Sequence, residues 1–315
     1  MAEASEATGE PDLTTRLQGP DLAPLRTAVA HPVSAGSLKG ALDARDAGLI
    51  EPVLVGPQQK IEAAAAGIGA DLSGVALIDV PHSHAAAAEA VALVRAGEAG
   101  AIMKGSLHTN ELMAEIVDGA TGLRTDRRMS HVFVLLTPAY PRALIISDGG
   151  INIAPDLTTK RWITQNAIDV ARAIGVELPK VAILSATEEV DPNIPSTIDA
   201  AALCKMAERG QITGGLLDGP LAFDGAVSPE AVAAKGTVSP VAGQADVLIV
   251  PNLEAGNMLA KQLDYLAGAS AAGIVVGAKV PVVLTSRADT PAERVASCAL
   301  AARLAHWQAA QAAQT

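Results

Sequence analysis

The chain of 315 residues is half apolar but only 2% aromatic, so its core has to be built from Ala, Val, Leu and Ile. Its net charge of −11 excludes a bulk attraction to nucleic acid or anionic membranes, and an anionic ligand therefore needs a local cationic pocket. Cys204 and Cys298 lie far apart with no C-x-x-C pair, which fits a reducing cytoplasm and predicts neither a disulfide framework nor a metal site.

Short apolar runs rich in Val and Ile alternate with Ala-rich helical patterns along the chain. The runs are continuously apolar, which is typical of strands covered on both faces and predicts a largely parallel sheet flanked by helices. The predicted strands are Val53–Val55, Val75–Asp79, Ala101–Met103, His131–Leu136, Ala143–Ser147, Lys180–Leu184, Gly214–Leu217, Val247–Val250, Gly273–Val276 and Val282–Leu284. The predicted helices include Ala85–Arg95, Thr159–Ile174, Ile198–Arg209 and Ala255–Leu266. A short TPAYPR connection predicts one antiparallel hairpin between the fourth and fifth strands.

Because so many strands would crowd one open sheet, we expect two α/β domains. The turn-rich segment SDGGINIAPDLTTK marks the junction, and the last helix is expected to return to the first domain. The first domain would comprise residues 21–150 and 290–315, and the second residues 151–289. Residues 1–20 are acidic with little apolar periodicity, so we expect a flexible tail. Neither a membrane span nor a signal peptide is visible, which favours a cytoplasmic location.

Five polar loops follow predicted strands, and their sequences are MKGSLHTN, SDGGIN, DGPLAFDGA, PNLEAGN and TSRADT. Ligands of parallel sheets bind at the carboxyl ends of the strands, so these loops are expected to share one end of the sheet and to form one cleft. No G-x-G-x-x-G follows a strand and no P-loop is present, which argues against a dinucleotide site or a nucleoside triphosphatase. His82 and His84 are two residues apart and would point to different faces of a helix, so no metal is expected there.

Six runs of sequence together resemble the phosphate acetyltransferase and phosphate butyryltransferase family. They are MKGSLHTNELM, GLRTDRRMSHVFV, INIAPDLTTK, DGPLAFDGAVSPEAVAAKG, SPVAGQADVLIVPNLEAGNML and GAKVPVVLTSRADTPAERVAS, and they cover about residues 100 to 300. The MSHV and TSRAD forms resemble the butyryltransferase branch more than the acetyltransferase branch. The resemblance implies two α/β/α domains similar to isocitrate and isopropylmalate dehydrogenases, an active cleft between them, and a homodimer. It also implies reversible transfer of an acyl group between coenzyme A and phosphate, with no metal and no tightly bound cofactor.

Four residues near the C-terminus are the predicted catalytic group. Arg287 can contact a phosphoryl group through two N–H bonds, and Ser286 can donate to the acyl carbonyl oxygen as negative charge develops on it. The resemblance assigns this Ser-Arg pair to substrate binding and transition-state stabilisation. The candidates for the base that removes the thiol proton are Glu293 and Asp289. Glu293 stands seven residues after the serine, where the acetyltransferases that this sequence resembles have an Asp. Thr290-Pro291-Ala292-Glu293 also has the form of a capping box, so Glu293 could serve only to start the last helix.

Eight further polar residues are predicted to bind substrate: Lys104, Ser106, Arg127, Arg128, Ser130, Asn152, Asp218 and Asn257. Lys104 and Ser106 belong to a small-residue loop whose N–H groups can approach a phosphate, although Lys104 could also be solvated. Arg127 and Arg128 form a cluster with Arg124, which suits a phosphate or pyrophosphate or is a surface charge cluster partly neutralised by Asp126.

The remaining polar residues have structural alternatives. Asn152, Asp218 and Asn257 could orient a ligand or serve as turn and cap residues. His131 is interpreted as a packed, hydrogen-bonded histidine rather than a base.

Two alternative functions stay open at the level of sequence. One is a metal- and nicotinamide-dependent decarboxylating dehydrogenase of the same fold, and the other is a non-catalytic module that binds coenzyme A or acyl phosphate. Both cysteines lie in helical patterns, so we expect direct transfer rather than an acyl-cysteine intermediate.

Overall fold

A computed structural model describes residues 12–19, 22–284 and 289–314 of the chain. Its strands are β1 Leu25–Ala30, β2 Ile50–Gly56, β3 Ala76–Asp79, β4 Ala101–Lys104, β5 Ser130–Leu136, β6 Leu144–Ser147, β7 Lys180–Leu184, β8 Leu216–Leu221, β9 Val247–Ile249, β10 Ser270–Val276 and β11 Val282–Val283. Its helices are α1 Leu13–Leu17, α2 Ala35–Asp46, α3 Gln58–Gly67, α4 Ser83–Arg95, α5 Thr109–Ile116, α6 Leu157–Ala173, α7 Pro195–Glu208, α8 Phe223–Val227, α9 Pro229–Lys235, α10 Leu253–Ala267 and α11 Pro291–Ala312.

All of the described strands belong to one sheet of order β3-β2-β1-β4-β11-β10-β5-β6-β9-β7-β8. Most neighbouring strands are parallel, and the α/β class with a largely parallel sheet is confirmed. The predicted hairpin is also present, because β5 and β6 pair antiparallel. Strands assigned to two domains are hydrogen-bonded into a single continuous sheet, and the boundary between the domains stays a prediction.

The two halves of the sheet run in opposite directions. β10 pairs antiparallel with both β11 and β5, and β5 pairs antiparallel with β6. These three reversals make β4 and β11 point opposite to β6, β8 and β9. The expectation that five loops share one end of the sheet is therefore wrong, because strand direction depends on this central antiparallel segment.

Helices cover the two faces of the sheet unequally. On one face, a single apolar cluster joins α1, α2, α3, α6, α7 and α11 to the strands beneath them. The other face carries two separate clusters, one under α4 and α5 and one under α8, α9 and α10. The interval between these two clusters lies over β5 and β10, and it is where the site described below is found.

Residues 12–19 correct part of the predicted N-terminal tail. Leu13 and Leu17 are four positions apart on α1, and both are buried, with exposed fractions of 4% and 2%. The Asp12 side chain caps α1 by accepting from the Thr15 N–H at 2.8 Å. Burial of this apolar face against the main core holds the helix in place. The rest of the predicted tail, residues 1–11 and 20, lies outside the described residues.

Helix α11 begins with the capping box that the sequence predicts. The Thr290 hydroxyl accepts from the Glu293 N–H at 3.3 Å, and the Glu293 carboxylate accepts from the Thr290 N–H at 2.6 Å. Pro291 occupies the first helical turn, where its missing N–H costs no hydrogen bond. In the part of the chain that the structure describes, no helix is both long and apolar enough to span a membrane.

Candidate active site

A cavity of 520 Å³ opens on the face of β5 and β10 that lies between the two separate helix layers. Side chains of the β4–α5 loop border one side of it, and α10 borders the other. Its lining comprises Lys104, Leu107, His108, Thr109, His131, Phe133, Leu135, Gly149, Gly150, Asn257, Ala260, Lys261, Asp264, Ala271, Gly273, Leu284, Asp289, Glu293 and Ser297. The loops after β4, β6 and β11 meet α10 here in spite of the opposed strand directions.

His131 lies on the floor of the cavity and is only 6% exposed. Its ring packs edge-on against Phe133, with 4.3 Å between ring centroids. The neighbouring strand has Gly273 here, where a Cβ atom would lie 2.9 Å from His131 Cε1, so glycine is required for the ring to fit. Among the described residues, His131 Nδ1 has no hydrogen-bond partner, which differs from the hydrogen-bonded histidine that we expected.

Burial keeps the His131 imidazole neutral. Desolvation lowers the pKa of His131 to about 4, and the nearby Asp148 carboxylate opposes this only partly. At neutral pH the ring therefore carries no charge and presents a nitrogen that can exchange a hydrogen bond with a ligand.

Three carboxylates gather at the junction of α10 and α11. Asp264 of α10 lines the cavity with Asp289 and Glu293. Burial raises the pKa of Asp264, the Glu293 charge raises it further, and Lys261 partly offsets both effects. The cavity thus holds a group of acidic side chains beside a cation, which is suited to accepting a proton from a ligand.

Lys104 ends β4 and reaches over the loop that follows it. Its Nζ donates to the carbonyl oxygens of Gly105 and Leu107 at 3.4 and 3.5 Å. Ser106 is bound to the start of α2 instead, with hydroxyl contacts of 2.7 Å to Ser34 and 2.8 Å to Ser37. Lys104 therefore lines the cavity, whereas Ser106 fixes the loop that carries it.

The buried carboxylate of Asp148 organises the loop after β6. It accepts from the N–H groups of His131, Gly150, Ile151 and Asn152, at distances between 2.8 and 3.2 Å. These bonds place Gly149 and Gly150 at the edge of the cavity.

Two asparagines tie this loop to its neighbours. Asn152 Nδ2 donates to the Met129 carbonyl at 2.8 Å and to Asp148 Oδ2 at 2.5 Å, which directs its side chain to the loop. Asn257 Nδ2 donates to the Gly149 carbonyl at 3.2 Å, and Asn257 itself lines the cavity. Of the two, Asn257 is the one positioned to contact a ligand in this cavity.

Four of the predicted substrate-binding residues lie elsewhere. Arg127 pairs with Asp169 at 2.5 Å on the far side of β10, and Arg128 is exposed next to it. Ser130 is buried and accepts from Asn166 Nδ2 at 3.0 Å. Asp218 belongs to the edge strand β8, where its carboxylate accepts from the Gly219 N–H at 2.9 Å.

Ser286 and Arg287 lie outside the described residues. Leu284 and Asp289, the described residues on either side of them, both line the cavity. In the described part of the lining, the cations are Lys104 and Lys261, and no arginine is present.

Sequence reasoning predicted Asn257 of α10 but missed Lys261 and Asp264 of the same helix, which also line this cavity. Asn257, Lys261 and Asp264 occupy positions i, i+4 and i+7, which form one face of a helix. Polar residues at this spacing, next to the apolar residues Ala260 and Leu263, are the sequence signal that could have identified this face of α10.

Neither cysteine lines the cavity. Cys298 is fully buried, and Cys204 is partly buried beside β8. Burial raises the pKa of each thiol to about 12, so neither forms a thiolate at neutral pH.

Comparison with known proteins gives consistent similarities. The family model described as Phosphate acetyl/butaryl transferase matches residues 83–302. A phosphate acetyltransferase of Rhizobium meliloti is 61% identical over 280 residues, which are 89% of each chain. A phosphate butyryltransferase of Clostridium acetobutylicum is 42% identical over 89% of this chain and 93% of its own. The crystal structure of a branched-chain phosphotransacylase from Enterococcus faecalis superposes with a TM-score of 0.77 and 31% identity, and covers 90% of this chain and 99% of its own.

These similarities confirm the family that the six sequence runs predicted and disfavour both alternative functions. The acetyltransferase named above is more similar to this chain than the butyryltransferase. That order is the reverse of the branch preference drawn from the MSHV and TSRAD forms.

Proposed function

This chain belongs to the phosphate acetyl/butyryl transferase family, and from that premise we propose that it transfers a short acyl group reversibly between coenzyme A and phosphate. The thiolate sulfur of coenzyme A forms a bond to the acyl carbon, and the bond from that carbon to the phosphate oxygen breaks. Inorganic phosphate leaves with the electron pair. The 61% identity to a phosphate acetyltransferase supports acetyl as the first acyl group to test.

The observation that carries the proposal is the position of the residues around Ser286 and Arg287. Leu284 and Asp289 flank the pair and line the same cavity as Lys104. In the proposed mechanism, Arg287 and Lys104 hold the phosphoryl group, and Ser286 donates to the carbonyl oxygen as it gains charge.

We propose that a carboxylate of the same cavity accepts the proton of the coenzyme A thiol. Glu293 is the proposed base, and Asp289 is the other candidate that the sequence indicated. Both line the cavity together with Asp264, whose raised pKa reflects burial and the Glu293 charge. A base in this position would take the proton before sulfur attacks the carbonyl carbon.

Uncharged parts of the lining would receive the rest of the substrate. Phe133, Leu135 and Ala271 form an apolar wall that suits an acyl chain. Asn257 and the neutral His131 lie beside it and can donate or accept hydrogen bonds. Direct transfer, without an acyl-enzyme, agrees with the inert thiols of both cysteines.

The test follows the free coenzyme A thiol in both directions: its release from acetyl or butyryl coenzyme A with phosphate, and its consumption with acetyl or butyryl phosphate. We expect phosphate-dependent formation of free coenzyme A from acetyl coenzyme A and its consumption when acetyl phosphate is added. Arg287→Ala should lower kcat/KM by about 100-fold or more, because it removes a bidentate charge-assisted contact. Arg287→Lys, which retains the charge, should recover part of the activity. Full activity of Arg287→Ala would refute the site assignment.

We propose a homodimer in the cytoplasm as the working form of the protein. Helix α10 supports this assembly, because its Met258, Tyr265 and Leu266 side chains are 58%, 66% and 84% exposed. Such a row of large apolar side chains favours contact with a second copy. Light scattering should give twice the chain mass of 31.8 kDa, and Tyr265→Glu with Leu266→Glu should lower it to one chain. A mass of one chain for the unaltered protein would contradict the dimer.

A further inference from the structure

A second cavity, of 630 Å³, shares no lining residue with the first. It lies between α6 and the C-terminal half of α11, under the end of β10. The segment Thr125–Arg127 and the loop of residues 210–213 complete its walls. Its volume is within the range of pockets that bind small molecules in other proteins.

The second cavity is cationic although the protein is acidic. Arg127, Arg161, Arg172 and Lys279 line it, together with the carboxylates of Asp126 and Asp169. In a chain of net charge −11, an excess of cations in one concave place concentrates positive potential there.

The cations in this cavity are not all neutralised by the protein. Arg127 is paired with Asp169 at 2.5 Å. Arg161, Arg172 and Lys279 form no ion pair with any of the described residues, although all three line the cavity. Arg161 Nε already donates to the Gln211 carbonyl at 2.9 Å, so Arg172 and Lys279 have the most donors left for an anionic ligand.

Both tryptophans of the chain line the same cavity. The Arg161 guanidinium lies 4.5 Å from the centroid of the Trp162 ring, and the Arg172 guanidinium lies 5.6 Å from that of Trp307. A guanidinium over an indole face is attracted by the ring, and it keeps N–H groups that can bind phosphate oxygens. Flat indole and guanidinium surfaces also stack on planar rings such as nucleobases.

The walls of the second cavity are held by hydrogen bonds. Gln165 on α6 donates to Asp169 at 3.0 Å and accepts from the Thr213 N–H at 2.9 Å. Arg161 Nε donates to the Gln211 carbonyl at 2.9 Å, which fixes the same loop to α6. A cavity with its cations and rings already in place loses little entropy when a ligand enters.

We propose that this second cavity binds a phosphorylated nucleoside. The base stacks on the Trp and Arg surfaces, and Arg172 and Lys279 bind the phosphate groups. The site is separate from the cavity assigned to acyl transfer, and the proposal does not depend on that reaction.

Tryptophan fluorescence tests the proposal directly, because every tryptophan of the protein lines this cavity. Titration of the full-length protein with ADP should change the emission saturably. Arg172→Gln and Lys279→Gln should each weaken the ADP affinity by about tenfold, since each removes one charge-assisted contact. The matched control is Arg26→Gln, which removes an exposed arginine of β1 and should leave the ADP affinity unchanged.

Three probes distinguish the chemical groups that are recognised. Coenzyme A, which also carries a phosphorylated nucleoside, should compete with ADP for the fluorescence change. Inorganic pyrophosphate, which has no ring, should bind clearly more weakly than ADP. Circular dichroism of each variant checks that it is folded.

The absence of a saturable change with ADP would overturn the proposal. Equal affinity for pyrophosphate and ADP would overturn the stacking of the base. A loss of affinity in Arg26→Gln as large as in Arg172→Gln would show a general charge effect, and this would overturn the site.

Discussion

A Glu293→Gln variant should retain the start of α11 and lose most of the transfer activity. In the capping box, Glu293 accepts from the Thr290 N–H at 2.6 Å. The amide oxygen of glutamine can accept the same hydrogen bond, because glutamine also serves at this position of a capping box. We therefore expect the free energy of unfolding to change by less than about 1 kcal/mol. The amide cannot take a proton, so the variant separates the structural role from the chemical one.

The expected loss of activity follows from the proposed base. General base catalysis is typically worth about 10²- to 10⁴-fold in rate. A 100-fold fall in kcat corresponds to about 2.7 kcal/mol of transition-state stabilisation. The assay is thiol release with saturating substrates, and urea denaturation measures the stability of the same preparation.

Glu293→Ala provides the matched control. It removes both the base and the cap, so we expect it to be as inactive as Glu293→Gln and less stable by about 1 kcal/mol. A Glu293→Gln enzyme with the full rate would refute Glu293 as the base and would leave it with the capping role alone. The Asp289→Asn variant would then be the next one to assay.

Three further predictions concern buried groups. Because the pKa of His131 is about 4 in the folded protein and close to the ordinary value of 6.5 in the unfolded chain, the unfolded chain binds this proton first as the pH falls. The neutral His131 therefore contributes stability above pH 6.5, and this contribution is lost as the pH falls further. Between pH 7 and 5, the free energy of unfolding measured in urea titrations should fall by about 2 kcal/mol more in the wild type than in His131→Asn. Gly256→Ala should lower the melting temperature, because its Cβ would lie 2.5 Å from the Asp148 carbonyl oxygen. Cys204 and Cys298, whose pKa values are raised to about 12, should react with a thiol reagent at pH 8 only after unfolding.

Each of these predictions has a clear contrary result. Equal pH dependence of the wild type and His131→Asn would show that His131 titrates normally in the folded state. A Gly256→Ala protein with an unchanged melting temperature would show that α10 is free to move away from the β6 loop. Rapid labelling of either thiol in the native protein would reopen a covalent role for cysteine.

The fold was largely predictable because its strands are continuous apolar runs. Each of the predicted strands overlaps one that the structure contains, whereas β1 was not predicted. Its sequence LRTAVA has few large apolar residues, and the strand is defined by pairing with β2 and β4 on either side. Tertiary pairing of this kind overrides a weak local preference. The reversal of direction at β10 was not predictable either, since it depends on how connections cross the sheet.

The candidate site was predictable where a residue directly follows a strand or starts a helix. Lys104, Asn257, Asp289 and Glu293 were predicted in this way and line the cavity. Arg127 was misplaced because it ends the long connection from α5, and its partner Asp169 is on α6, 42 residues further along the chain. No local pattern indicates such a pairing.

The charges in the described lining of the first cavity support the proposed role of Arg287. In the described lining of the first cavity, Lys104 and Lys261 face three carboxylates. Such a lining attracts a proton more strongly than it attracts a phosphate. Acyl phosphate and coenzyme A are both anions, so their binding requires a cation beyond these two lysines. In the sequence, Arg287 stands between Leu284 and Asp289, which both line the cavity, and we propose that its guanidinium supplies that charge.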